Sequence, residues 1–346
     1  MRLLLIEEFV RRGIKVDLVL ASARGELLDE VPVECRIVDL DASRIRKLPF
    51  KIRRYVIHYK PRTLLVALWP LTGIVCLVNR TLHKRPHLMV TEHNDFRHMP
   101  SLTIIERHGL KLLGKWLYSL TDSVAAVSNG VARSISDTTG FPRADIQVIY
   151  NPIRKVSGEA FDASDSDLAK WWQDGRQRII AVGSLKPQKG FEVLLRAFAK
   201  VSKSLDAKLL ILGEGQLRAS LGNQIVELDL EDRVRLPGFR EDPFPFFRQA
   251  DLFVLSSFWE GLPGVLIEAL ACGTPVVATD CPSGPAEILD DGAYGMLVPV
   301  GDECALAEGM RFTLEAPPDK RHLCLRAEVF TRGAAAQKYL ALLGLG

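Results

Sequence analysis

Two carboxylates eight residues apart, Glu260 and Glu268, form the spacing in this chain that most strongly suggests chemistry. Pro263 suits the first position of a helix, and Gly273 with Pro275 marks its end. The residues between are apolar apart from Glu268, which predicts a helix packed on every side. A carboxylate there is costly unless hydroxyls donate to it, as the diol of a ribose could, with phosphates at the helix start. The alternative is that both carboxylates only offset the helix dipole or pair with a lysine.

Three glycine-containing loops follow three successive predicted strands in the second half of the chain. The first spans residues 183–190, and its end glycines would let backbone approach a ligand closely. Lys189 in this loop can reach a diphosphate as a point charge, although a solvated lysine is the alternative. The other loops are 213–215 and 237–240. Loops at the carboxyl ends of parallel strands, together with the Glu268 helix, indicate one crevice.

Short apolar strands alternate with helical stretches along the chain, which is typical of parallel sheets flanked by helices. Runs nearly continuous in Val, Ile and Leu indicate strands that are buried on both faces. The predicted strands are 16–21, 36–39, 63–68, 87–91, 123–127, 146–149, 178–182, 208–212, 234–236, 252–255, 276–278 and 295–298. The fold class is therefore α/β with two Rossmann-like, doubly wound domains.

The segment 157–177 is polar and rich in Asp and Ser, and we predict that it links the two domains. The first domain is then 1–156 and the second 178–328, and residues 329–346 form a C-terminal helix that returns to the first domain. Residues 1–12 fit a helix face, with a strand directly afterwards. A doubly wound domain normally opens with a strand and a glycine-rich turn, so we expect the first domain to lack its first strand.

Composition is that of an ordinary globular protein, with 47% hydrophobic and 25% charged residues among 346. The six cysteines have no metal or redox spacing, which favours reduced thiols in the cytoplasm. No signal peptide and no run of roughly 20 apolar residues is visible. Net charge is +3, but residues 1–160 hold 25 Lys and Arg against 16 Asp and Glu. A basic half can meet an anionic surface, either nucleic acid or lipid, or can simply be well solvated.

Two basic segments of the first half suggest contact with a membrane. Residues 44–62 interleave Arg and Lys with aromatic and aliphatic side chains, and residues 102–120 place Trp116 beside Lys111 and Lys115. Basic amphipathic helices can lie in a lipid interface, although more often such helices pack their apolar face on the core.

His93 follows a predicted strand within the sequence Thr91-Glu92-His93-Asn94-Asp95. Polar residues at the end of a buried strand point to the carboxyl edge of a sheet, where His93 could face the second domain across a cleft. In the alternative, Asn94 and Asp95 form local backbone bonds in a turn and His93 is incidental.

At these residues the chain resembles glycosyltransferase family 4, whose members are retaining, use nucleotide sugars and have the GT-B fold of two domains facing a cleft. The resemblance is densest between Ile180 and Val298. Residues 148–153 and 280–289 are similar to members that build lipopolysaccharide and other bacterial surface glycans.

The resemblance implies a role for each matching residue. Glu268 would hold the donor ribose, Glu260 would contact the transferred sugar, and Lys189 would neutralise the diphosphate. His93 matches the histidine of the acceptor domain, and the residues at 239 and 240 would lie by the base. The implied catalytic residues are Glu260, His93 and Lys189, and the implied donor-binding residues are Gly183, Ser184, Lys189, Gly213, Gly215, Phe239, Arg240, Glu260, Gly261, Leu262, Gly264, Val265 and Glu268.

Two departures from the family pattern matter. The family usually has arginine where this chain has Ser184, and a serine cannot supply a bidentate charge to phosphate. Lys189 and Lys186 would then carry more of that charge. A missing first strand would indicate a misplaced start or a truncated product, with a compromised acceptor site.

The expected function is a retaining transfer of a hexose or N-acetylhexosamine from a nucleoside-diphosphate sugar, with UDP favoured by the resemblance alone. The acceptor would be a lipid-linked or core oligosaccharide in bacterial surface polysaccharide synthesis. We expect no metal or other cofactor, because neither 39–41 nor 165–167 places an Asp-x-Asp motif for that role. We also expect no nucleic acid partner and a cytoplasmic location, with peripheral contact to the inner face of the membrane. The alternatives are a GT-B sugar-nucleotide epimerase and a truncated, non-catalytic sugar-nucleotide-binding protein, while base, sugar, acceptor, linkage and oligomeric state stay open.

Overall fold

A computed structural model describes residues 2–25, 28–42, 44–98, 104–156 and 166–345. The chain divides into two compact units. The first unit consists of Met1–Arg154 together with Phe330–Gly346, and the second unit is Lys155–Val329.

Helices and strands alternate through most of both units. The strands are β1 (Asp17–Leu20), β2 (Arg36–Asp39), β3 (Thr63–Ala67), β4 (His87–Glu92), β5 (Ser123–Ala126), β6 (Ile146–Val148), β7 (Gln177–Val182), β8 (Ala207–Leu212), β9 (Val234–Gly238), β10 (Leu252–Leu255), β11 (Val276–Thr279) and β12 (Met296–Val298). The helices are α1 (Arg2–Arg11), α2 (Leu48–Tyr59), α3 (Leu71–Arg80), α4 (Ile104–Ser119), α5 (Asn129–Thr139), α6 (Ser166–Trp172), α7 (Phe191–Val201), α8 (Arg218–Glu227), α9 (Phe244–Gln249), α10 (Gly264–Ala271), α11 (Pro285–Ile288), α12 (Glu303–Glu315), α13 (Lys320–Ala327) and α14 (Arg332–Leu342). The twelve predicted strands all form, with ends within two residues of the prediction.

The strands of the first unit form two separate parallel sheets. β1 pairs with β2 alone, and the second sheet has the order β3-β4-β5-β6. Residues 2–11 form a helix, and among the described residues no strand precedes it. The predicted helix near the start of the sequence is confirmed, since α1 covers residues 2–11 and β1 follows it.

The C-terminal helix α14 packs against α1 in the first unit. Arg332 of α14 pairs with Glu7 of α1 at 2.6 Å, and Tyr339 is buried beside Phe9 and Met89. These contacts tie the last residues of the chain to the first unit by both charge and apolar burial.

The second unit contains one parallel sheet with the order β12-β11-β10-β7-β8-β9. From β7, the chain adds strands on one side through β8 and β9, and then on the other side through β10, β11 and β12. The order therefore reverses between β7 and β10. In open α/β sheets, ligands bind outside the carboxyl ends of the strands at this reversal point.

The prediction that 157–177 is a linker is wrong in its later part. Residues 166–172 form α6, and Trp172 is fully buried with its ring 6.4 Å from that of Phe246. Leu168 and Ala169 are buried as well, so apolar burial holds this helix on the second unit. Residues 157–165 of the predicted linker lie outside the described residues.

Candidate active site

The loops that follow β7 and β10 meet at the reversal point of the second sheet. Ser256 Oγ donates to the Lys189 carbonyl at 2.8 Å, and the Phe258 N–H donates to the Gln188 carbonyl at 2.8 Å. Gln188 Nε2 in turn donates to the Trp259 carbonyl at 2.8 Å. Three hydrogen bonds between the two loops fix the position of Lys189 relative to the residues that precede α10.

Close backbone approach explains Gly190 in the loop after β7 and Gly213 in the loop after β8. Gly190 has a φ of +61°, and a Cβ there would lie 2.2 Å from the Ser256 carbonyl oxygen. Gly213 has a φ of +148°, and a Cβ there would lie 1.9 Å from the carbonyl oxygen of Gly183. The sequence-based interpretation assigned Gly190 to close approach of a ligand, but in the structure the loops approach each other at these glycines.

Lys189 and Glu260 form an ion pair at the centre of this region. Lys189 Nζ lies 2.6 Å from Glu260 Oε1, and the side chains are 18% and 8% exposed. Ser257 Oγ donates to the same carboxylate oxygen at 2.6 Å, and Ser283 Oγ donates to the Glu260 main-chain carbonyl. The carboxylate is therefore held by a charge-assisted bond and a hydroxyl, while Ser283 holds its backbone.

This ion pair involves residues from both interpretations of the two carboxylates. Glu260 does pair with a lysine, as the alternative interpretation predicts, and that lysine is the residue assigned to the diphosphate. The fold thus brings the carboxylate and the ammonium together.

The helix α10 is not packed on every side, contrary to the prediction. Leu266, Ile267, Ala269 and Leu270 are buried, but Gly264, Val265, Glu268, Ala271 and Cys272 are only half-buried. The half-buried residues recur at helical spacing and form one stripe along the helix. Glu268 lies on this partly open stripe, one turn from Gly264, so its carboxylate is not enclosed by the core.

The start of α10 carries no side-chain cap. Pro263 occupies the N-cap position, one residue earlier than predicted, and no side-chain hydrogen bond caps the helix there. The first N–H groups of a helix lack partners within the helix, and its N-terminus carries a partial positive charge. An anionic group can therefore bind where the stripe begins.

The other predicted donor-binding residues surround these loops with varied exposure. Phe239 follows β9 and is 69% exposed, which leaves its ring face open to stacking. Gly213 and Leu262 are buried, Gly183, Arg240 and Gly261 are half-buried, and Ser184 and Gly215 are exposed.

His93 lies at the end of β4 in the first unit, held by Arg2 and Thr91. Arg2 Nη2 donates to His93 Nε2 at 3.0 Å and to Thr91 Oγ1 at 2.7 Å. Because an arginine can only donate, Nε2 must be the accepting nitrogen and Nδ1 carries the proton. Burial, reinforced by the Arg2 guanidinium, lowers the pKa of His93 to about 3. The ring is therefore neutral at physiological pH.

Glu92, the residue before His93, was not singled out from the sequence. Its carboxylate is 1% exposed and accepts from Thr72 Oγ1 at 2.9 Å, from Tyr118 Oη at 3.0 Å and from the Trp69 N–H at 3.3 Å. Burial raises the pKa of Glu92 to about 7, against the lowering effect of these donors. A carboxylate at the end of a strand with an apolar middle is the sequence signal that could have identified it.

The turn after His93 contains the local bond that the alternative interpretation predicts. The Arg97 N–H donates to Asp95 Oδ1 at 2.9 Å, and Ser134 Oγ donates to the same oxygen at 2.6 Å. His93 is nevertheless held by its own contacts. The contact with Arg2 joins positions 91 residues apart, so no local sequence pattern could have revealed it.

Comparison with known proteins matches both halves of the chain to glycosyltransferase profiles. Residues 3–155 match the profile of Glycosyltransferase Family 4, and residues 176–316 match that of Glycosyl transferases group 1. The chain is therefore a glycosyltransferase, with a Glycosyltransferase Family 4 domain followed by a group 1 glycosyl transferase domain.

Relatives of this glycosyltransferase include an N-acetylgalactosamine-N,N'-diacetylbacillosaminyl-diphospho-undecaprenol 4-alpha-N-acetylgalactosaminyltransferase of Campylobacter jejuni. The two are 29% identical over 94% of this chain and 89% of that protein. The lipopolysaccharide core biosynthesis glycosyltransferase LpsE of Rhizobium meliloti is 31% identical over 64% of each chain. The structure of HepE of Anabaena in complex with UDP superposes with a TM-score of 0.75 and 22% identity, over 99% of this chain and 94% of that one. That similarity supports the GT-B fold.

Three further observations concern metal ligands, membrane-spanning helices and cysteines. Within the described part of this glycosyltransferase, no three His, Cys, Asp or Glu side chains gather where they could hold a metal ion. Across the same residues, no helix combines the length and the apolar character needed to span a bilayer. The six cysteines are all free thiols.

Proposed function

We propose that this glycosyltransferase moves a hexose or N-acetylhexosamine from a nucleoside-diphosphate sugar, with UDP favoured, to a lipid-linked or core oligosaccharide of a bacterial surface glycan. The anomeric configuration would be retained, as the family resemblance implies. The acceptor class follows the relatives, which are named for a diphospho-undecaprenol-linked acceptor and for lipopolysaccharide core synthesis.

The observation that carries the proposal is the Lys189–Glu260 pair beside the open stripe of α10. In this proposal the donor ribose lies on the stripe, where Glu268 accepts from both of its hydroxyls. The diphosphate then lies at the start of α10, within the field of the helix dipole.

Lys189 is suited to stabilise the diphosphate leaving group. An ammonium has three donors, so it can keep its bond to Glu260 and still donate to a phosphate oxygen. Charge develops on that oxygen as the sugar departs, and a positioned cation in a partly buried site stabilises it strongly. The other oxygen of Glu260 remains available to accept from a hydroxyl of the transferred sugar.

His93 is proposed as a hydrogen-bond donor to a sugar hydroxyl. Its Nε2 accepts from Arg2, which leaves Nδ1–H as the donating group. With a pKa of about 3, the ring does not act as a general acid at neutral pH.

We further propose that transfer needs no metal ion. Lys189 and the amides that begin α10 supply the positive charge that a divalent cation provides in other nucleotide-sugar enzymes. The Lys189 ammonium, on a side chain that is 18% exposed, is the group on which this proposal depends.

The test uses purified protein with UDP-, GDP- and ADP-sugars and an acceptor bearing a lipid-linked or core saccharide. We expect transfer of sugar and, by NMR, a product anomer that matches the donor. Lys189→Ala should lower kcat by about 10²- to 10³-fold, as for the loss of one oxyanion-stabilising donor. Lys203→Ala, at an exposed lysine beyond the end of α7, is the matched control.

Three results would separate the alternatives. An isomerised donor formed without acceptor would support the epimerase instead. Donor binding without turnover would support the non-catalytic protein. Full activity of Lys189→Ala would contradict the proposed stabilisation of the leaving group.

A further inference from the structure

Four buried hydroxyl side chains gather at the Lys189–Glu260 pair, and the proposed function gives none of them a role. They are Ser256, Ser257, Thr279 and Ser283, each at most 4% exposed. A buried hydroxyl costs free energy unless it is hydrogen-bonded. All four donate, and three of these bonds reach Lys189 or Glu260 directly. This concentration of buried donors indicates that they serve the position of the pair.

Ser257 differs from the other three hydroxyls because it donates to a side-chain carboxylate. Ser257 Oγ lies 2.6 Å from Glu260 Oε1, which also accepts from Lys189 Nζ at 2.6 Å. The other three hydroxyls donate to main-chain carbonyls. One of these bonds holds Ser257 itself, since Thr279 Oγ1 at the end of β11 donates to the Ser257 carbonyl at 2.6 Å. The Ser257 hydroxyl therefore holds the carboxylate from a fixed place.

Both donors bind the same carboxylate oxygen, which fixes the direction of the other oxygen. A lysine ammonium is a compact point charge on a flexible stem, so Lys189 alone would let the carboxylate turn about it. With Ser257 also bound to Oε1, a turn would break a second charge-assisted bond. Within the described residues, Glu260 Oε2 has no hydrogen-bond partner. The Glu260 side chain remains 8% exposed, so Oε2 is the oxygen left for a ligand.

We propose that Ser257 is a positioning residue that aims Glu260 Oε2 at one hydroxyl of the transferred sugar and so determines which sugar is accepted. This rests on the proposed function, which places the sugar at Glu260, and it adds the group that sets the selectivity. A site built to bond a hydroxyl rejects the analogue that lacks it, because the polar partner is then left unpaired. Such rejection is strong only while the partner cannot turn away.

Calorimetric titration with deoxy sugars tests the role of Ser257 and needs no acceptor. The ligand is the best binder among UDP-glucose, UDP-galactose, UDP-N-acetylglucosamine and UDP-N-acetylgalactosamine, compared with its 3-deoxy, 4-deoxy and 6-deoxy forms. In the parent protein we expect one deoxy form to bind roughly 10- to 100-fold more weakly, as for loss of a hydrogen bond to a charged group. In Ser257→Ala this penalty should fall to about threefold, while the Kd for UDP alone changes less than about twofold.

Three further variants separate the hydrogen bond from packing. Ser257→Cys keeps the volume but is a weak donor, so it should behave like Ser257→Ala. Ser257→Thr keeps a hydroxyl and should retain most of the deoxy penalty. Thr274→Val is the matched control, because Thr274 Oγ1 is also buried and donates to the Phe247 carbonyl at 2.7 Å, away from the pair. It should leave the deoxy penalty unchanged. Circular dichroism checks that each variant is folded.

Three outcomes would overturn the proposal. The first is a deoxy penalty in Ser257→Ala as large as in the parent. The second is an equal loss of affinity for UDP and for the nucleotide sugar, which would mean that Ser257 supports the whole donor site. The third is a parent protein that binds every deoxy form as tightly as the full sugar. Transfer to the acceptor is measured separately, so failure of the proposed function is distinguishable from each of these results.

Discussion

The buried carboxyl of Glu92 gives the first unit a stability that depends on pH. In the folded protein its pKa is raised to about 7 by burial, from an ordinary value of 4.5. A carboxyl of this kind stabilises the fold fully below pH 4.5, and that contribution is lost as the pH rises through 7. The step is worth roughly 3 kcal/mol at about 1.36 kcal/mol per pH unit. We subtract the free energy of unfolding of wild type from that of Glu92→Gln. This difference should rise by about 3 kcal/mol from pH 4 to pH 8.

His93 should show the opposite dependence. Its pKa is lowered to about 3 from an ordinary value of 6.5, so its contribution is present above pH 6.5 and is lost as the pH falls through 3. As the pH rises from 4.5 to 6.5, the stabilisation by Glu92 falls and the stabilisation by His93 increases. Each contribution to the free energy of unfolding changes by roughly 3 kcal/mol. Glu92→Gln should therefore leave a first unit that weakens on acidification, and His93→Gln one that weakens as the pH rises.

The assay must separate the two units, because a chain with two compact units need not unfold in one step. Urea denaturation at pH 4.5, 5.5, 6.5 and 7.5, read by hydrogen-exchange mass spectrometry of peptides that contain β4, reports the first unit. Glu34→Gln, at an exposed carboxylate of the same unit, is the control for removing one charge.

A stability difference between Glu92→Gln and wild type that stays constant from pH 4.5 to 7.5 would refute the reasoning. So would a difference that grows on acidification. Either result would mean that Glu92 is ionised in the folded state at all of these pH values. Thr72 and Tyr118 would then stabilise the carboxylate more than burial destabilises it.

Two predictions concern the donor site. Glu268→Gln should raise the KM for the nucleotide sugar about tenfold to hundredfold with a smaller effect on kcat, because a neutral amide accepts less strongly from the ribose hydroxyls than a carboxylate does. Release of the nucleoside diphosphate measures it, and an unchanged KM would argue against ribose binding on the α10 stripe. Activity should persist in EDTA, since Lys189 and the start of α10 supply the charge at the phosphates. Loss of activity that Mg²⁺ or Mn²⁺ restores would contradict the metal-free proposal.

The strands could be predicted from sequence because burial on both faces leaves a strong local signal. β8 is apolar except for Lys208 and buried along its whole length, and β4 places Leu88, Met89 and Val90 in the core. The division of the first unit into two sheets was not predicted, because the sequence marks each strand but not which strands pair.

The contacts that build the site were harder to predict, since they join distant positions. Gly190 looks like a ligand-binding glycine in sequence, but Ser256, 66 residues further on, decides what it touches. The helix α6 was not predicted, because its flanking residues are polar and suggest a linker, although Trp172 belongs to the core. In α10 the composition is almost wholly apolar, so composition alone could not reveal which stripe stays open.

The Lys189–Glu260 pair shows how the fold can prepare a site before its ligand arrives. The pair exists because the loops after β7 and β10 touch, and they can touch only because Gly190 lacks a side chain. Both charged groups are already largely removed from water, at 18% and 8% exposure, so little further desolvation is needed when a donor binds. The carboxylate keeps the ammonium in place, and an anionic diphosphate would then meet a cation whose position is set in advance. Replacing Glu260 would therefore release Lys189 as well as remove a sugar contact, so the two residues act as one unit.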